Sequence, residues 1–169
     1  MNWQIALRLG RVSNLPTVWT NVLTGVVLAG SHPRPVTMAI LLVSLSSFYV
    51  AGMYLNDAFD RDIDRVQRPE RPIPSGQVDA QTVFTFGFGL LVLGLGLLLW
   101  TGYGLQQGTG WRAPLAGLAL AGTIVVYDWY HKANPLSPLV MGLCRVLVYV
   151  TAGLNEGASG AEPLAGAHA

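Results

Sequence analysis

Residues 36–64 read VTMAILLVSLSSFYVAGMYLNDAFDRDID, and this stretch decides the fold. Its first part, Val36–Leu55, carries no charged side chain. A run of about 20 such residues is long enough to cross the hydrocarbon core of a bilayer as a helix. At Asn56 the chemistry changes abruptly. Asp57, Asp60 and Asp64 follow at intervals of three and four, so a continuing helix would carry all three carboxylates on one face. Between positions 57 and 71 lie five of the nine acidic residues of the chain and four of its ten basic ones. A row of carboxylates at a helix end suits Mg²⁺, a hard cation that takes oxygen ligands and brings substrate phosphates with it. Like charges this close require a cation or arginines to neutralise them. The amide oxygen of Asn56 could join the metal shell or cap the helix.

Downstream, Arg68, Arg71 and the turn Pro72-Ile73-Pro74-Ser75-Gly76 put guanidinium groups on a stiff segment. Prolines fix φ and glycine permits the turn, and guanidinium forks match phosphate oxygens. Positive-inside topology alone would call for these charges but not for this spacing. Asp62 and Glu70 read as solvated residues, and Arg61 and Arg65 fit either role.

The rest of the chain agrees with a membrane setting. Charged residues make up 11% of the 169 residues and hydrophobic ones 51%, whereas soluble domains carry about 25% charged residues. The net charge of +1 exerts no general pull on nucleic acid. The single cysteine, Cys144, excludes an internal disulfide and a multi-cysteine metal site and reads as a small buried apolar residue. No cleavable signal peptide is expected.

Five apolar spans emerge: Leu15–Ala29, Val36–Leu55, Val83–Tyr103, Pro114–Trp129 and Leu136–Leu154. The first and fourth are short. The glycines of the third, Gly87, Gly89, Gly94 and Gly96, allow close helix contact in lipid. The expected fold is therefore all-α, a polytopic transmembrane bundle over residues 1–154, with a disordered tail over 155–169. Arg8, Arg11, Arg61, Arg65, Arg68, Arg71 and Lys132 fall on one side of the membrane, against Arg34 and Arg112 on the other. The positive-inside rule makes the N-terminus and the acidic loop cytoplasmic in a multi-pass integral membrane protein.

The second loop on that side, Tyr127-Asp128-Trp129-Tyr130-His131-Lys132, supplies further candidates. Lys132 suits phosphate binding as a point charge, and Asp128 and Tyr127 could orient it or an acceptor. Trp129 and Tyr130 fit an interfacial aromatic belt, and His131 reads as a surface residue. Arg145 lies within the fifth span, where an arginine is costly and faces a polar cavity or an acidic partner.

These residues resemble the UbiA superfamily of intramembrane prenyltransferases. Asn56, Asp57, Asp60 and Asp64 fill every position of its first signature, Asn-Asp/Gln-x-x-Asp-x-x-x-Asp. Arg68 to Gly76 is similar to its Arg-x-x-Arg-Pro-Leu-x-x-Gly stretch, and Arg11-x-x-Asn14-Leu15-Pro16-Thr17 to its first helix. Tyr127 and Lys132 match Tyr-x-x-x-x-Lys-Arg, with Ala133 in place of the arginine. Asn134–Pro138 and Met141–Arg145 are similar to the EboC-like branch. The resemblance covers about residues 8–154, the N-terminal half of such a protein, and implies about five of the family's nine spans around a central cavity. It implies Mg²⁺ held by Asn56, Asp57, Asp60 and Asp64, with Asp57, Asp60, Asp64 and Lys132 catalytic. Asn56, Arg68, Arg71, Tyr127, Asp128 and Arg145 would bind substrate. The implied reaction is transfer of an isoprenyl group from a polyprenyl diphosphate to a lipophilic, often aromatic acceptor. The family's second motif, Asp-x-x-x-Asp, has no counterpart after Asp128.

Other classes fit less well. A non-catalytic membrane module that binds isoprenoid diphosphate, or a subunit completed by a second copy or a complementing half, is the alternative that the unmatched motif favours. The Asp-Gly-x-x-Ala-Arg element of CDP-alcohol phosphotransferases is absent. A transporter would place its charges at mid-depth rather than at a helix end.

Overall fold

The computed structural model describes residues 2–30, 34–105, 108–130, 132 and 134–156, and every regular element among them is helical. The helices are α1 (Trp3–Leu9), α2 (Leu15–Leu28), α3 (Pro35–Phe59), α4 (Arg61–Gln67), α5 (Ala80–Leu99), α6 (Arg112–Tyr130) and α7 (Ser137–Glu156). A helix covers each of the five expected apolar stretches: α2, α3, α5, α6 and α7. Among the described residues, three stretches are long and apolar enough to cross a membrane, Pro35–Phe59, Ala80–Gly104 and Ser137–Asn155, so α2 and α6 do not meet that measure. The protein is an integral membrane protein of the all-helical bundle type. The tail expectation meets the structure only at its start, where Asn155 and Glu156 still belong to α7; residues 157–169 lie outside the described residues, as does His131.

Local chemistry sets the helix ends. Pro35 occupies the first turn of α3, where its missing N–H costs nothing. Asp79 caps α5 by accepting a hydrogen bond from the Thr82 backbone N–H at 3.2 Å. Asn134 Oδ1 accepts from the Leu136 N–H at 2.9 Å ahead of α7. Beyond Leu99 the chain continues for one wide turn of π-helix, Trp100–Gly104.

The core lies among α2, α3, α5, α6 and α7, with Val22, Leu41, Leu45, Phe48, Leu55, Leu98 and Leu120 almost wholly buried. Helix α3 packs most extensively on α5, α6 on α7, and α2 on α7. Two of the four α5 glycines make the first contact possible. A methyl group on Gly87 would lie 2.8 Å from the Leu55 side chain, and one on Gly94 would lie 3.0 Å from the Phe48 ring. Gly89 and Gly96 meet nothing, so the contact stripe has a seven-residue period. Ser44 Oγ closes the seam by donating to the Gly94 carbonyl at 2.8 Å. Exposed Leu139, Leu143, Val146 and Val150 on α7 form an apolar face suited to lipid or further helices.

Candidate active site

The acidic face predicted from sequence survives a break in the helix. Helix α3 ends at Phe59 and α4 begins at Arg61, but the i→i−4 backbone pattern continues: Asp60 N–H donates to Asn56 at 3.0 Å, and Asp64 N–H to Asp60 at 2.9 Å. Asp57, Asp60 and Asp64 therefore stay on one side, and all three are buried. Asp62, on the other side, is exposed and pairs with Arg65 at 3.2 Å. Arg61 is also turned away, its guanidinium 5.7 Å from the Phe84 ring centroid.

Basic side chains from three separate segments close over the carboxylates. Arg71 Nη1 stands 3.1 Å from Asp57 Oδ1 and 2.6 Å from Asp64 Oδ2, so a single nitrogen bridges two carboxylates. It is carried by a tight turn in which the Ser75 N–H donates to the Arg71 carbonyl at 3.0 Å and Gly76 adopts a φ of 75°. Lys132 Nζ lies 3.1 Å from Asp60 Oδ2, which joins the second loop to the first as expected. Arg11 Nη2 reaches Asp57 Oδ1 at 3.4 Å. Asn56 Nδ2 donates to Asp128 Oδ1 at 3.4 Å, bringing a fourth buried acid to the group. Four acids thus face three cations.

Two expected residues sit at the margin. Arg68 ends α4 and is exposed; it lines a cleft of about 350 Å³ with Arg8, Arg11, Arg71, Asp57 and Glu70. Four arginines around one cleft suit a phosphate. Tyr127 is half-buried and lines a separate cleft of about 20 Å³. Arg11 is the residue that spacing did not select. Its φ of 44° is the one left-handed backbone among the described non-glycine residues, a conformation that costs about 1 kcal/mol or more and is found at functional sites. Only its place in the resemblance and its side of the membrane pointed to it.

Among the described residues, no three Asp, Glu, His or Cys side chains converge closely enough to hold a metal ion alone. Mg²⁺ does not need such a cage, since it is held by one or two carboxylates with substrate phosphates and water. Asp57 and Asp64 meet that requirement, because one cationic atom already touches both.

One helical turn below this group opens a cavity of about 510 Å³. Gly52 on α3 and Ile124 on α6 line it, four residues before Asn56 and Asp128 respectively. Its walls are mostly apolar, with Val18, Leu45, Phe48, Leu120 and Val148. The polar exceptions include Asn14, Thr17, Asn21 and Arg145; Arg145 is exposed, and the cavity it lines is more apolar than the one expected for it.

Residues 17–163 match the UbiA prenyltransferase family. The chain is 36% identical to digeranylgeranylglyceryl phosphate synthase of Ignicoccus hospitalis over 75% of its own length and 38% of that protein. It is 32% identical to the chloroplastic chlorophyll synthase of Arabidopsis thaliana over 79% of its own length and 35% of that protein. A solved structure described as "Structural and mechanistic insights into the biosynthesis of Digeranylgeranylglyceryl phosphate synthase in membranes" superposes with a TM-score of 0.78 at 25% identity, over 91% of this chain and 53% of that one. The chain spans little more than a third of these two relatives and about half of the solved structure.

Proposed function

We propose, on the premise that this chain belongs to the UbiA prenyltransferase family, that the complete protein transfers an isoprenyl group from a polyprenyl diphosphate to a lipophilic acceptor inside the membrane. The observation that carries the reading is the meeting of Asp57, Asp60, Asp64 and Asp128 with Arg11, Arg71 and Lys132, one turn above an apolar cavity. Arg68 and Arg71, with Arg8 and Arg11, would grip the diphosphate in the basic cleft. Asn56, Asp57, Asp60 and Asp64 would hold Mg²⁺, which supplies charge neutralisation of the leaving diphosphate. Lys132 would add a point charge to the same group, while Asp128, Tyr127 and Arg145 would position the second substrate.

The chemistry follows from this layout. The allylic carbon–oxygen bond breaks, and its electron pair leaves with the diphosphate. The guanidinium and ammonium groups stabilise that developing charge because they are already in place. The apolar cavity walls keep water from the allylic cation. The acceptor then supplies the electron pair of the new bond and loses a proton. In this reading the N-terminus and the acidic loop face the cytoplasm, which the excess of Arg and Lys on their side of the membrane supports.

The test is Mg²⁺-dependent release of pyrophosphate from a polyprenyl diphosphate by the full-length protein in membranes. Release that EDTA abolishes is the expected result; an absence of release with every acceptor offered would overturn the reading. The alternative is a non-catalytic module that binds isoprenoid diphosphate through the same acids and arginines, or serves a partner subunit. Saturable binding of the diphosphate without turnover would select it.

A further inference from the structure

At the end of the bundle opposite the acidic loop, the last turns of α5 and α7 enclose four polar side chains. Thr101, in the π-helical turn, and Thr151 and Asn155, on α7, are wholly buried, and Thr109 is nearly so. Thr109 belongs to the loop that folds back on that turn. Its backbone N–H donates to the Thr101 carbonyl at 3.2 Å, and that of Gly110 to the Gly102 carbonyl at 3.0 Å. Across the seam, the Thr101 hydroxyl lies 2.7 Å from Asn155 Oδ1 and 2.9 Å from the Leu98 carbonyl. None of the four residues lines the 510 Å³ cavity or touches the acidic site.

Three atoms of this cluster have no hydrogen-bond partner among the described residues: Thr109 Oγ1, Thr151 Oγ1 and Asn155 Nδ2. Buried polar groups left in that state are costly and rare. Thr151 and Asn155 are four residues apart on one helix, hence neighbours on one face, yet they are not bonded to each other. Thr101 has one proton for two acceptors. Turning the Asn155 amide over would let Nδ2 donate to Thr101 and would strand Oδ1 instead. In either orientation one atom of the amide lacks a partner. The ligand that fits must therefore both donate and accept. A cation cannot serve an amide N–H, and an anion finds no cationic side chain among the four residues.

We propose that a resident water molecule occupies this cluster, bonded to the Asn155 amide and the Thr151 hydroxyl, and pins the last turn of α7 to the π-turn of α5. A buried water typically makes about three hydrogen bonds to groups that are otherwise unsatisfied. The site is independent of the prenyl-transfer reading, but it bears on the cavity. Cys144 and Val148 precede Thr151 and Asn155 at intervals of three and four, on the same stripe of α7, and both line the cavity. The water thus fixes the depth of that cavity wall from the far end of its helix.

The experiment is water-edited solid-state NMR of the full-length protein in phosphatidylcholine proteoliposomes, labelled with ¹⁵N-asparagine. The Asn155 side-chain signal is identified by its absence from Asn155→Gln. The unaltered protein is expected to show a water cross-peak on that buried amide. The cross-peak should be lost in Thr151→Val, which keeps the shape and removes the hydroxyl. It should persist in Thr123→Val, because that hydroxyl donates to the Ala119 carbonyl at 2.8 Å on α6. Thermal unfolding gives an independent sign. With a bridging water, Thr151→Val strands the Asn155 amide and lowers the melting temperature by roughly 2–4 °C. Without one, the substitution removes an orphan hydroxyl and raises it. A dry Asn155 amide in the unaltered protein, an undiminished cross-peak in Thr151→Val, or a higher melting temperature in that variant overturns the proposal. So does a contact from the amide to a backbone group beyond residue 156 in place of water.

Discussion

A single nitrogen atom, Arg71 Nη1, holds two buried carboxylates, and its removal has two separable effects. Breaking a buried pair from one side leaves an uncompensated charge and costs about 3–5 kcal/mol. Because Arg71 retains some exposure, the lower end of that range is expected for Arg71→Gln, read as a fall in the melting temperature of the solubilised protein. The same substitution should weaken diphosphate binding, whereas Arg65→Gln, which removes only an exposed pair with Asp62, should change neither. Asp60→Asn is expected to abolish Mg²⁺-dependent pyrophosphate release in the complete protein; normal turnover would sink the site assignment. Asp57, Asp60, Asp64 and Arg71 were legible in the sequence because their spacing is local and helical. Lys132 and Asp128 were legible as charges on the same side of the membrane, Lys132 also through its place in the resemblance, but neither was legible as a partner of the first loop. Their bonds to Asp60 and Asn56 span more than seventy residues, and no periodicity encodes a contact of that range. Arg11 left still less trace, because a left-handed arginine looks in sequence like any other.

At the scale of the element, the helices were legible and their contacts were only partly so. Hydropathy locates α3, α5 and α7, but it treats the four glycines of α5 alike. The structure uses Gly87 and Gly94 against α3 and leaves Gly89 and Gly96 open, a distinction set by which face meets Leu55 and Phe48. Helix α2 offers a sharper test. A methyl group on Gly25 would stand 2.8 Å from the Tyr149 carbonyl oxygen and 3.0 Å from the Ala152 side chain. Backbone cannot retreat as a side-chain tip can, so Gly25→Leu should force α2 away from α7. The expected cost is about 1–3 kcal/mol, typical of overpacking, with loss of the hydrogen bond from Tyr149 to Asn21. Gly89→Leu, which meets open space, should bring no such loss. Thermal unfolding of the two variants decides between them.

For the whole molecule, topology is the property that the charge distribution implies and the helix packing alone leaves open. Cys144 is the sole cysteine, so a Cys144→Ala background permits labelling at chosen sites. Cysteine at Ser75, in the exposed turn after Arg71, should resist a membrane-impermeant maleimide in intact cells and react once the membrane is permeabilised. Cysteine at exposed Trp111 should react from outside; the reverse pattern would invert the assignment. The bridging of Asp57 and Asp64 by Arg71 also has a thermodynamic consequence. Under the proposed function, Mg²⁺ alone would have to displace a guanidinium from Asp57 and Asp64, and diphosphate alone would have to draw the arginines from their acids. Together, each ligand would release the partner that the other needs. Their affinities should therefore be linked and, by reciprocity, raised by the same factor. Titrating diphosphate with and without Mg²⁺, and Mg²⁺ with and without diphosphate, should close that cycle: the resting ion pairs would make the site cooperative between two ligands of opposite charge and nearly indifferent to either one by itself.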